Sequence, residues 1–106
     1  MEQDFDRHWR MAPGDWREAA LTALRILCRV RTVREAPDGH AMESRAASAL
    51  RMDPRISRVL SVYHDPGPAG DCLECQFDIR DERYRIRIPV TWLEPGTPEV
   101  LEAMTS

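Results

Sequence analysis

From Cys72 to Trp92 the chain reads CLECQFDIRDERYRIRIPVTW, and its apolar residues fall on every second position. Leu73, Cys75, Phe77 and Ile79 alternate with Cys72, Glu74, Gln76, Asp78 and Arg80. Tyr84, Ile86, Ile88 and Val90 alternate with Arg83, Arg85 and Arg87. A helix repeats every ~3.6 residues and a strand every two, so this stretch predicts a β-hairpin with one dry and one wet face.

The polar run Arg80-Asp81-Glu82-Arg83 supplies the turn. Pro89 helps to choose its length, because a proline has no N–H and must occupy a non-hydrogen-bonded site of the ladder. A two-residue loop at Asp81-Glu82 would put Pro89 at a bonded site, and it lacks the glycine or asparagine that such turns favour. A four-residue loop avoids both faults. It predicts Ile79 opposite Tyr84, Phe77 opposite Ile86 and Cys75 opposite Ile88, with Asp78 facing Arg85 and Gln76 facing Arg87. The missing donor of Pro89 then points outward, which makes this an edge strand.

Elsewhere the pattern is helical. Asp15-Trp16-Arg17-Glu18 has the form of a capping box. The helix after it would bury Trp16, Ala20, Ala23, Leu24, Leu27 and Val30, leaving Glu18, Thr22, Arg25 and Arg29 outside. Arg29, Arg31 and Arg34 crowd its end, where cations suit the helix dipole. Residues 28–33 also alternate like a short strand. After the break at Ala36-Pro37-Asp38-Gly39, a second helix is predicted from Ala41 to Met52 with Ala46, Ala49 and Leu50 inward. Residues 53–63 fit a helix through Ile56, Val59, Leu60 and Tyr63. They fit a strand through the β-branched alternation of Arg58 to Tyr63, and the strand is the reading adopted. His64 to Asp71 is a proline- and glycine-rich loop. Thr97, Pro98 and Glu99 have the order of a cap, a first-turn proline and a dipole-suited acid, so a last helix follows. Residues 1–14 read as an N-terminal arm, with Phe5 and Trp9 on one side of a short turn, and residues 15–106 as one domain. The predicted fold is α+β, a three-stranded antiparallel β-meander with helices packed on one face, in the order ααβββα.

Charge and cysteine content narrow the function. Fifteen basic residues stand against 18 acidic ones, a net charge of −3, which does not suit a protein living on nucleic-acid phosphates. All of the basic residues are arginine. Residues 1–9 are polar and acidic, so no secretory leader is expected; no apolar run approaches membrane-spanning length, and the three cysteines are an odd number. A cytoplasmic protein with reduced thiols is expected, without membrane contact.

Candidate chemistry is sparse. Cys72-x-x-Cys75 with His64 upstream has the look of a metal or redox pair. On a strand, however, residues three apart point to opposite faces, so the thiols diverge. His8, His40 and His64 have no nucleophile at a familiar spacing, and the five glycines are scattered at turns. No enzyme activity, cofactor or metal is expected. The strongest surface feature is the row Arg83, Arg85, Arg87, whose forked donors suit carboxylate or phosphate. Glu74, Asp78, Asp81 and Glu82 stand nearby to neutralise it.

With residues 53–63 helical and 29–33 a strand, the order resembles a winged helix-turn-helix. Ala47-x-x-Leu50, Met52-Asp53-Pro54 and Ile56-Ser57-Arg58-Val59-Leu60 would be its helix pair, though Arg51 stands where the turn glycine belongs. That resemblance implies DNA reading by Arg55 and Arg58, with Arg83 and Arg85 on the wing. The principal expectation is different: a small non-catalytic binding protein acting on another protein through Arg83, Arg85 and Arg87. An adaptor or an inhibitor belongs to that class, a phage-related, anti-CRISPR-like inhibitor included. Nucleic acid is the alternative partner. Self-association through a free strand edge, or through Trp9 and Trp92, is a further expectation.

Overall fold

The computed structural model describes Trp9, residues 11–68 and residues 70–105. Phe5 and the rest of the expected aromatic turn before Trp9 lie outside the described residues. Helix α1 spans Gly14–Cys28, α2 is the single turn Arg31–Arg34, and α3 spans Gly39–Met52. Strands β1 (Arg58–Asp65), β2 (Cys72–Ile79) and β3 (Glu82–Pro89) follow, then a 3-10 turn at Val90–Trp92 and helix α4 at Thr97–Thr105. The sheet is antiparallel in the order β1-β2-β3. It is the expected α+β meander, with β2 in the middle.

α1 is the core helix. Its run of alanine and leucine favours helix, and Ala19, Ala20, Leu21, Ala23, Leu24, Ile26, Leu27 and Cys28 are all buried. The capping box does not form. Pro13 has already turned the chain and accepts the Arg17 N–H at 3.0 Å, so the helix starts at Gly14. Asp15 then lies inside the first turn, where its charge still suits the dipole. At the far end Val30 is extended, Arg34 Nη1 donates to the Cys28 carbonyl at 2.9 Å, and Val33 turns inward. Residues 28–33 therefore finish one helix and begin another, and form no strand.

α3 is capped by Asp38, whose Oδ1 accepts the Ala41 N–H at 2.8 Å. Met42, Ala46 and Leu50, four residues apart, carry its buried stripe. Asp53 ends the helix, and β1 begins at Arg58. No helix occupies 53–63, so the recognition helix of the winged-helix resemblance is absent and that fold is discarded.

In the hairpin each side chain takes its expected face, but the register is offset by two residues. Ile79 pairs with Glu82, Phe77 with Tyr84, Cys75 with Ile86 and Leu73 with Ile88. The loop is the two residues Arg80 and Asp81, with Arg80 at φ 58. A shift of two preserves the alternation of faces, so hydrophobic patterning alone cannot exclude it. Counting bonded and non-bonded pairs from the loop still leaves Pro89, opposite Cys72, at a non-bonded site of an edge strand. Leu73, Cys75, Phe77, Ile86 and Ile88 are buried beneath the helices.

Trp9 is fully buried against Trp16, with ring centroids 6.0 Å apart and planes at 65°. It belongs to the core, so it is unavailable for the expected self-association. Trp92 is half-buried. Among the described residues no helix is long and apolar enough to cross a membrane.

Candidate functional site: the open face of the sheet

Among the described residues, helices cover one side of the sheet only. The other side presents four rows across β1, β2 and β3: Arg58, Asp78, Arg83; then Ser61, Gln76, Arg85; then Tyr63, Glu74, Arg87; then Asp65, Cys72, Pro89. Arg83, Arg85 and Arg87 project from this face, as expected.

Their partners differ from those expected, because the register differs. Arg83 grips Asp78 through Nε at 2.9 Å and Nη2 at 3.4 Å. Arg85 reaches diagonally to Glu74, with Nε at 3.1 Å and Nη2 at 3.3 Å. Arg87 crosses β2 altogether, placing Nη2 3.0 Å from Asp65 Oδ2 on β1 and Nη1 3.6 Å from Glu74. Asp78 does not serve Arg85, and Arg87 is not left facing Gln76 alone. Asp81 and Glu82 pair with none of the three. The Arg83 hydrogen bond holds the Asp78 carboxyl below its usual range.

The two charge types lie at different heights. The arginine side chains are 53, 70 and 53 % exposed for Arg83, Arg85 and Arg87, whereas Asp78 and Glu74 are 18 and 19 % exposed and Asp65 32 %. Carboxylates form a lower tier against the pleat, and guanidinium groups lie over them. The face is nearly neutral in sum, yet its outermost layer is cationic. Tyr63, 55 % exposed, stands in the row of Glu74 and Arg87 as its aromatic element.

Sequence reasoning missed Asp65 and Tyr63. The signal was present: the alternation of Arg58 to Tyr63 runs on through His64 and Asp65, which the proline and glycine beyond them masked. His64 consequently belongs to β1 and not to a loop. Its backbone N–H points away from β2 and donates to Glu43 Oε2 at 2.7 Å, and its Nε2 lies 3.8 Å from Asp71. Glu43 thereby stops the β1 edge, and a register shift between Val59 and Ser61 kinks the same strand.

The thiols diverge as the strand reading requires. Cys75 is buried and Cys72 lies half-buried on the open face beside Arg87. Burial pushes the Cys75 thiol up to about 12, and burial likewise pushes Cys28 up to about 11. Among the described residues no group of three His, Cys, Asp or Glu side chains could hold a metal ion. No protein-family model, curated protein or solved structure matches the chain.

Proposed function

We propose that the protein is a small non-catalytic binding protein of the cytoplasm, an adaptor or inhibitor that acts by contact with another protein. The contact surface is the open sheet face around Arg83, Arg85 and Arg87. The observation that carries this reading is the two-tier arrangement of charge. Each arginine is held in place by a carboxylate beneath it, so less side-chain freedom is lost when a partner arrives. Arginine and tyrosine are the residue types that protein interfaces concentrate, and Tyr63 supplies the aromatic anchor. The partner is a protein with an acidic patch, which meets the cationic layer without displacing the lower one. The three unpaired cysteines support a reducing compartment.

The test is affinity capture with the tagged protein, identification of the captured protein, and titration against the triple variant Arg83→Gln, Arg85→Gln, Arg87→Gln. Exposed pairs contribute about 0–1 kcal/mol each, so the variant folds. Capture of an acidic protein whose affinity falls at least tenfold in the variant supports the reading. Unchanged affinity removes the face from consideration. Retention of duplex DNA, with binding that falls steeply as salt rises, would replace a protein partner by nucleic acid.

A further inference from the structure

A second arginine cluster lies away from the sheet and is wired differently. Residues 25–34, RILCRVRTVR, hold four arginines and no acid. All four, Arg25, Arg29, Arg31 and Arg34, line one open pocket of ≈ 320 Å³ where α1 ends, α2 begins and α4 starts. Pro98 and Glu99 stand on its α4 side.

Two of these guanidinium groups are fixed. Arg34 is held by its bond to the Cys28 carbonyl, and Arg25 bridges to Glu102 of α4. The other two are not. Arg31 is 76 % exposed and makes a loose ion pair with Glu35 at 3.6 Å, and exposed Arg29 forms no close ion pair among the described residues, acting on Asp53 only at a distance. On the sheet every arginine of the row has a carboxylate. Here four arginines share one hollow in which Glu99 is the one acid among the described lining residues, while Glu102 and Glu35 reach Arg25 and Arg31 from its margins and Glu94 stands near Cys28. Guanidinium forks match the spacing of oxygens on a tetrahedral oxyanion. The volume is at the small end of ligand sites, ~300–1,000 Å³, which suits one or two phosphate groups with little attached.

We propose that this pocket binds a small phosphate-bearing anion, a diphosphate or a phosphate ester. Arg25 and Arg34 form the fixed side of the site, and Arg29 and Arg31 fold over the ligand. Glu99 opposes the anion and sets the affinity.

Calorimetric titration of the full chain with pyrophosphate and with ATP, at constant ionic strength, tests this. One-to-one saturation is expected, weakened at least tenfold in Arg29→Ser/Arg31→Ser and strengthened in Glu99→Gln. The sheet-face triple variant, whose substitutions lie on another surface, should bind the anion as the wild type does. Equal affinity for the two ligands assigns recognition to the phosphate groups alone, and preference for ATP assigns it to a nucleotide. Absence of saturation with either ligand overturns the proposal, whether or not duplex DNA binds instead. Unaltered affinity in the Arg29/Arg31 variant overturns it equally.

Discussion

The Ser57 hydroxyl lies 3.0 Å from the carbonyl oxygen of Arg80 and 3.0 Å from that of Asp78, while its backbone N–H donates to the same Asp78 carbonyl at 2.9 Å. The segment leading into β1 thus clasps the hairpin turn from outside. Arg80 sits in the left-handed region at φ 58, where a side chain costs about 1–2 kcal/mol. The clasp offsets part of that cost. Replacing Arg80 by glycine should therefore raise stability by roughly 1 kcal/mol in urea melts. Ser57→Ala should lower it by about 1 kcal/mol, through the lost hydrogen bond. A destabilised Arg80→Gly protein would mean that the turn is not strained.

Gly39 should behave against helix propensity. It lies in the first turn of α3, where alanine normally gains about 1 kcal/mol over glycine. A Cβ there would stand 2.3 Å from Nδ1 of His64, a side chain only 16 % exposed. Overpacking of this kind costs about 1–3 kcal/mol, so Gly39→Ala should destabilise. The double variant Gly39→Ala/His64→Ala should recover most of the loss, and thermal melts of the four proteins decide the point.

Phe77 and Tyr84 have ring centroids 6.3 Å apart. Phe77→Ala should cost about 3–5 kcal/mol, because the ring is fully buried. A double-mutant cycle between Phe77 and Tyr84 should yield a coupling of about 0.5–1.5 kcal/mol. Negligible coupling would contradict the register.

How far the fold is legible in the sequence follows from these same residues. The faces of β2 and β3 follow from period-two alternation, which is local and strong. Their register does not, because a shift of two residues keeps every face and exchanges only partners. What selects the observed register is Ser57, more than twenty positions before the turn, and a left-handed arginine that no turn rule anticipates. The arginine row was legible as a surface. Its counter-charges were not, since Asp65 comes from a strand two places across the sheet. The break at Pro13-Gly14 makes Trp9 read as part of an arm, yet a break in helix does not prevent a large ring from folding back into the core.

Two buried thiols give the protein an alkaline weakness. Burial raises Cys75 from 9.0 to about 12 and Cys28 from 9.0 to about 11. Below about pH 9 both are protonated folded or unfolded, and contribute no pH dependence. Above it the unfolded chain releases protons that the folded chain retains, so stability falls as pH rises, by up to about 1.4 kcal/mol per pH unit for each thiol. Cys75→Ala should be less stable at pH 7 but show a shallower decline between pH 9 and 11 by equilibrium unfolding. A thiol reagent at pH 8 should modify Cys72 first, with Cys28 and Cys75 following only on unfolding.

The interruptions at the borders of the sheet carry a consequence for the molecule at high concentration. Glu43 occupies one outward N–H of β1, a kink interrupts that strand, and Pro89 ends the outer edge of β3 without a donor. A strand from a neighbouring molecule would have to dislodge a carboxylate at one border or tolerate a missing bond at the other. Crowded solutions should therefore fail by amorphous precipitation of whole domains and not by growth of ordered fibres. Removing that carboxylate with Glu43→Ala should free the His64 N–H and shift the balance toward them.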